Sequence, residues 1–366
     1  MGALIPAAMR LVRGARGLTQ TDLAKAAGVS QPAVSQWENG TTSPGPDLLE
    51  KLAQALDVLP TVLTDETVGI TRPMYRATGI RKKSDELRIT GRTELARIAA
   101  ARIVEHAELS PALPWPDVDD PLPDDPEEAA SRLRTVWRIL PGPVDDLLER
   151  IEAAGGIGLR VDFGHSKVDA AYARFRRDPI RWMLFNTTTS DGARFRLNVA
   201  HELGHAMLHH WDSFDVVDER QRESEAFRFG IALLVPREDF IREIAHTRMR
   251  WDDFLHMRPR WGVSAAALAR RARDLHLISP DAYTRLNIER RKRGHWTREP
   301  FDVPLERPKL FERLIDMLRE SAGWGPDDFA QAAGLPYLAL ADLLPDQFPN
   351  DRPPARLRET GLRLVT

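Results

Sequence analysis

Apolar residues recur at helical spacing from the start of the chain. In GLTQTDLAKAAGVSQPAVSQWENG, which begins at Gly17, Leu18, Leu23, Ala24 and Ala27 share one face, and Val34 and Trp37 give the next helix its inward face. Gly28 stands where a tight turn is needed and Ser30 where a helix can be capped. Leu48, Leu49, Leu52 and Leu56 carry the period into a closing helix. Two short helices at this spacing predict a helix-turn-helix whose second helix turns Gln31, Ala33, Ser35 and Gln36 outward, where they can reach base edges in a major groove. Gln20, near the start of the first helix, and Arg10, Arg13 and Arg16 before it are expected to hold phosphates.

Farther along, the period changes. A strand is expected at Ile70 to Arg76 and a helix from Glu86 to Glu108, before SPALPWPDVDDPLPDDPEE, whose prolines and acids read as an extended linker. Helices around Ala129 to Trp137 and Val144 to Ala154 lead into strands at Gly158 to Phe163, Ala170 to Phe175 and Trp182 to Asn186. A helix holding RFRLNVAHELGHAMLHH follows, and beyond Trp251 the chain is helical again, with a break at HWTREPFDVPLERP. The expected fold class is therefore multidomain. Residues 1–66 form an all-α helix-turn-helix domain, 67–126 a linker with a strand and a helix, 127–245 an α+β domain, 246–300 a helical subdomain and 301–366 a helical C-terminal domain.

Two later stretches echo the first. RPRWGVSAAALARRARDLHLIS has a turn at Gly262 and a cap at Ser264, and is expected to support the preceding domain rather than to contact DNA through Arg270, Arg271 and Arg273. GWGPDDFAQAAGLPYLALADLLPD is a closer copy: Asp328, Ala330, Ala332, Ala333 and Gly334 fall on Asp22, Ala24, Ala26, Ala27 and Gly28. Its reading face has become Tyr337, Leu338, Leu340 and Asp342, and its flank is acidic, so this degenerate copy should contact protein.

Composition narrows the chemistry. A net charge of −2 confines any DNA contact to a local patch. The absence of cysteine among 366 residues removes disulfides, thiolate ligands and thiol nucleophiles together. A metal site must then use nitrogen and oxygen. No apolar run approaches the ~18 residues of a membrane span, and MGALIPAAMRLVRGARG lacks a signal-peptide core, so the cytoplasm is the expected compartment and no membrane partner is expected.

His201-Glu202-Leu203-Gly204-His205 is the strongest chemical signal. Helix positions four apart lie about 40° apart around the axis, so both imidazoles face one point with Glu202 beside them. Two neutral imidazoles supply half of a tetrahedral zinc shell, and the glutamate can take a proton from an attacking water. Gly204 inside this helix costs about 1 kcal/mol and points to close packing over the site. The positions where a metzincin would carry a third histidine hold Leu208 and Trp211, which leaves a glutamate from the next helix: Glu219, Glu223 or Glu225. His209 lies a turn too far to share the ion and is expected beside it, and His210 is expected to be exposed. His165 and Tyr172 are expected to line the cleft, with Tyr172 the candidate donor to a developing oxyanion.

Residues 4–63 resemble an Xre-type, lambda-repressor-like helix-turn-helix domain through Thr19-Gln20, Leu23-Ala24, Gly28-Val29-Ser30, Val34-Ser35, Trp37-Glu38 and Gly40. Residues of about 127 to 290 resemble the ImmA/IrrE metallopeptidase family through AASRLRTVWRILPGPVDDLLERIEAAGGIGLRV, RFRLNVAHELGHAMLHH and ESEAFRFGIALLVP. The resemblance implies a zincin-like, gluzincin-type fold with zinc as cofactor, His201, His205 and Glu223 as ligands and Glu202 as catalytic base. It also implies a zinc endopeptidase that cleaves a helix-turn-helix repressor or related regulator in a stress or mobile-element response. DNA is the implied partner of the first domain, read as a homodimer on a palindromic operator. The chain departs from the family at Phe227, where asparagine is usual, and this favours the alternative of a transcriptional regulator whose metallopeptidase-like domain is a sensor or scaffold.

Overall fold

The ends of the N-terminal helices are set by residues suited to them. α1 (Pro6–Ala15) begins on a proline, whose missing N–H has no partner to lose at a helix start. α2 (Gln20–Ala27) begins in a capping box: the Asp22 N–H donates to the Thr19 hydroxyl at 3.1 Å and the Thr19 N–H to the Asp22 carboxylate at 2.9 Å. It ends at Gly28, whose φ of 69° is open to glycine at little cost. Ser30 caps α3 (Gln31–Glu38), and α4 (Pro46–Leu56) and α5 (Pro60–Leu63) complete the group. Val34, Trp37, Leu49, Leu52 and Leu56 close over Leu23 and Ala24 in one core, each fully buried leucine or valine stabilising by about 1.5–3 kcal/mol.

The structure, a computed structural model, describes residues 3–65, 74–75, 82–116, 122–165, 168, 170–175, 178–209, 218–348 and 362–364. After α5 come β1 (Met74–Tyr75), α6 (Lys83–Val104), β2 (Ala107–Leu109), α7 (Pro126–Val136), α8 (Leu147–Ala153), β3 (Gly156–Val161), β4 (Ala170–Phe175) and β5 (Asp178–Asn186). Helices then dominate: α9 (Gly192–Leu208), α10 (Glu219–Leu234), α11 (Arg237–Ile244), α12 (Trp251–Trp261), α13 (Ala265–Asp274) and α14 (Pro280–Lys292). The chain closes with α15 (Leu310–Ala322), α16 (Pro326–Ala333), α17 (Tyr337–Leu343) and β6 (Leu362–Leu364). Among the described residues no helix is long and apolar enough to cross a membrane.

Two compact units arise, each discontinuous in sequence: Met1–Ser110 with Ile157–Thr188 and Pro308–Thr366, and Pro111–Gly156 with Thr189–Arg307. In the first, α1 and α6 cross backbone to backbone, since a Cβ on Gly91 would stand 2.6 Å from the Leu11 carbonyl oxygen. A sheet of order β1-β4-β5-β3 lies in this unit, with β4 antiparallel to both neighbours and Tyr172 opposite Met74 on one side and Met183 on the other. Trp182 and Leu184 join Leu159, Val161 and Phe163 in the same core as the N-terminal helices.

The degenerate copy belongs to this unit too. The Gly325 N–H donates to Asp328 at 2.8 Å as that of Thr19 does to Asp22, and Gly334 has φ 76° as Gly28 has 69°. The former reading face now binds inward. Leu340 is buried and Asp342 accepts from Arg92 of α6 at 2.9 Å, while Leu338 stays exposed. The Leu59 N–H donates to the Gly334 carbonyl at 2.8 Å, tying α16 to the group of α1 to α5.

In the second unit α9 and α10 form the centre with α7 against them. Buried arginines stitch the surroundings: Arg134 donates to the carbonyls of Leu233, Leu140 and Gly142, and Arg271 pairs with Glu127 and donates to the Val235 carbonyl. Arg271 therefore supports the fold, as expected for that helix, whose cap is Ser264 accepting from Ala267 N–H at 3.1 Å. Glu306 accepts from the N–H groups of Leu147 and Leu148 at the start of α8, each at 3.1 Å, and pairs with Arg196 of α9.

Candidate metal centre and nucleic-acid interface

α9 starts on Asp191, whose carboxylate accepts from the Arg194 N–H at 2.8 Å, and runs through both histidines of the motif. Their Nε2 atoms lie 3.1 Å apart, and the two residues are only 6% and 5% exposed. α10 crosses α9 at two glycines. A Cβ on Gly204 would stand 2.8 Å from the Ala226 carbonyl oxygen, and one on Gly230 would stand 3.0 Å from the Ala200 carbonyl carbon. Such an approach brings the Glu223 carboxylate to 3.4 Å from His201 Nε2 and 3.2 Å from His205 Nε2. Sequence reasoning singled out Gly204 but passed over Gly230, whose signal was a second small residue at the facing level of the next helix.

These three separations test the site for a metal. A tetrahedral zinc ion with ligands at about 2.0–2.1 Å has ligand atoms about 3.3–3.4 Å from one another. The observed edges of 3.1, 3.4 and 3.2 Å match that figure, and the donors are two imidazole nitrogens and a carboxylate oxygen. Among the described residues, His201, His205 and Glu223 are the group whose ligand atoms all meet within 4.8 Å. Burial alone would raise the Glu223 carboxyl, but hydrogen bonds and charge from His201 and His205 outweigh it and hold the group well below the usual carboxylate range. The site thus presents an ionised oxygen.

The neighbours sort by contact. Glu202 is buried on α9 next to His201. His209 meets His205, Nδ1 to Nδ1, at 3.0 Å, and burial first, then His205, press its imidazole down to about 4 against the pull of Glu225. It is neutral at pH 7. Glu225 turns to His209 and not to the ligand atoms, and Glu219 is exposed at the head of α10. Phe227 lies under Arg270, whose guanidinium carbon is 4.2 Å from the ring centre. Tyr172 has its backbone in β4, in the other compact unit; its side chain, like His210 and Trp211, lies outside the described residues.

On the helix-turn-helix, Gln36 is exposed and Ser35 half-buried on α3. Gln31 donates to Gln20 at 2.8 Å, and Gln20 donates to Glu38 at 2.8 Å, so the amides at the ends of α2 and α3 are held in a chain. That chain ends inside the fold. Arg13, expected at a phosphate, is instead buried and pairs with Glu38 through its Nε at 2.6 Å and a terminal nitrogen at 3.0 Å, because its face of α1 packs on α3. Arg16 donates to the carbonyls of Leu56 at 2.9 Å and Asp57 at 2.6 Å, capping α4. Arg10 stays exposed and donates to the Glu38 carbonyl at 2.7 Å.

A helix-turn-helix with exposed polar groups and a metallopeptidase-like helix pair define a DNA-binding regulator that carries a metallopeptidase-like domain. Comparison with known families gives the same division: residues 9–63 match the helix-turn-helix family and residues 159–273 the IrrE N-terminal-like domain. The chain is a fusion of an Xre-like helix-turn-helix domain with an ImmA/IrrE-like domain. No curated protein matches it in a sequence search.

Proposed function

We propose that the protein is a zinc-dependent endopeptidase that its N-terminal domain brings to DNA, and that it cleaves a helix-turn-helix repressor or related regulator. The meeting of His201, His205 and Glu223 within ligand distance of one another carries this reading. Those three residues would hold the ion, which when bound supplies Lewis acidity toward water and a peptide carbonyl. Glu202 takes the proton from the water that attacks the scissile carbonyl carbon, and gives that proton to the leaving amine as the C–N bond breaks. Neutral His201 and His205 keep their lone pairs for the ion, and ionised Glu223 offsets its charge. The N-terminal domain reads a palindromic operator as a dimer, so the peptidase acts where regulators gather.

The test is Glu202→Gln, assayed on a purified helix-turn-helix repressor. The variant is expected to retain zinc and to cleave about 10²- to 10⁴-fold more slowly. Equal cleavage by variant and wild type overturns the catalytic role. Cleavage by neither, with DNA binding intact, favours the sensor reading, to which the Phe227–Arg270 stack at the ligand helix already lends support.

A further inference from the structure

His209 ends α9 one turn beyond His205, with its side chain 4% exposed. Its Nδ1 lies 3.0 Å from His205 Nδ1, and its Nε2 lies 3.2 Å from Glu225 Oε2. The second carboxylate oxygen of Glu225 accepts from the Gln221 amide at 2.8 Å, which fixes the carboxylate on α10. These contacts determine where each hydrogen must sit.

An ionised carboxylate only accepts, so His209 donates to it from Nε2. A neutral imidazole has one N–H, and His209 Nδ1 is therefore an acceptor. The atom facing it, His205 Nδ1, must then be the donor. His205 is left with its lone pair on Nε2, the atom that faces His201 and Glu223. In the opposite tautomer His205 would aim an N–H at Glu223, and no ion could take that corner.

We infer that Glu225 and His209 form a relay that sets the tautomer and ring orientation of His205 as a metal ligand. They are positioning residues, and the inference rests on the metal-centre reading above. The control is one-sided: among the described residues, the Nδ1 of His201 is buried without a hydrogen-bond partner. One ligand is thus preset while the other is ordered only when it binds.

The experiment uses the full chain labelled with ¹⁵N-histidine, together with competition against a chromophoric zinc chelator. In the zinc-loaded wild type, long-range ¹H–¹⁵N spectra should find His209 with its hydrogen on Nε2. Glu225→Ala and His209→Phe should each weaken zinc binding about 10- to 100-fold, the usual effect of losing an outer-shell partner. Glu225→Gln, whose amide oxygen can still accept, should recover part of that loss. His209 holding its hydrogen on Nδ1 overturns the relay, as does zinc affinity within about twofold of wild type in both disruptive variants. No zinc uptake by the wild type overturns the metal-centre reading itself, whereas uptake with unchanged affinity in the variants overturns the relay alone.

Discussion

Arg13 and Glu38 form a pair whose side chains are only 10% and 1% exposed, and this changes what each residue does. A charge buried beside its partner is tolerated, but one left alone keeps the full cost of leaving water. Glu38→Ala is therefore expected to destabilise the first unit by about 3–5 kcal/mol, read as a drop in the denaturant midpoint. Replacing both residues with apolar ones of similar volume should recover most of the loss. The sequence showed a basic run before a recognition helix and assigned all three arginines to phosphates. Whether an arginine meets a phosphate or a glutamate depends on how α1 crosses α3, which local spacing does not contain. Spacing did suffice for His201 and His205, because a helix alone puts positions four apart on one stripe. The choice among Glu219, Glu223 and Glu225 needed the packing of a second helix, and it came from family resemblance.

At the level of elements, helix ends were the most readable feature. Thr19, Gly28 and Ser30 act through bonds to their own backbone neighbourhood, so they signal locally. The approach of α9 to α10 is set by Gly204 together with Gly230, and only the first was recognisable as unusual before the partner helix was known. Gly204→Ala tests this crossing. Helix propensity favours the substitution by about 1 kcal/mol, yet its Cβ would stand 2.8 Å from the Ala226 oxygen. The helices must separate, and Glu223 moves away from the imidazoles with them. We expect zinc affinity to fall at least tenfold while helix content is unchanged, as measured by chelator competition and circular dichroism. Unchanged affinity would mean that α10 can shift without carrying Glu223.

Across the whole molecule, the match to the IrrE N-terminal-like domain runs through strands of one compact unit and helices of the other. Sequence order suggested a string of successive domains, because periodicity reports local structure and is silent on long-range pairing. This affects how DNA binding is best tested. Deleting residues 1–66 would remove α1 to α5 and also strip the core that α6 and α16 share with them. Substitution on the outer face is cleaner. Gln31→Ala with Gln36→Ala should cost about 1–3 kcal/mol per lost base contact in specific DNA binding, and should leave the salt-dependent non-specific component in place. Anisotropy titrations across salt separate the two. Equal losses on specific and random duplexes would move the reading face elsewhere.

The tie between Leu59 and Gly334 bears on the order in which the protein is made. A ribosome delivers α1 to α5 first and α15 to α17 last, yet Leu52 and Val62 share one core with Phe329 and Leu340. The N-terminal segment therefore waits, its apolar face incompletely covered, until nearly the whole chain has emerged. Only a polypeptide that already carries its peptidase-like portion can finish the domain that meets DNA.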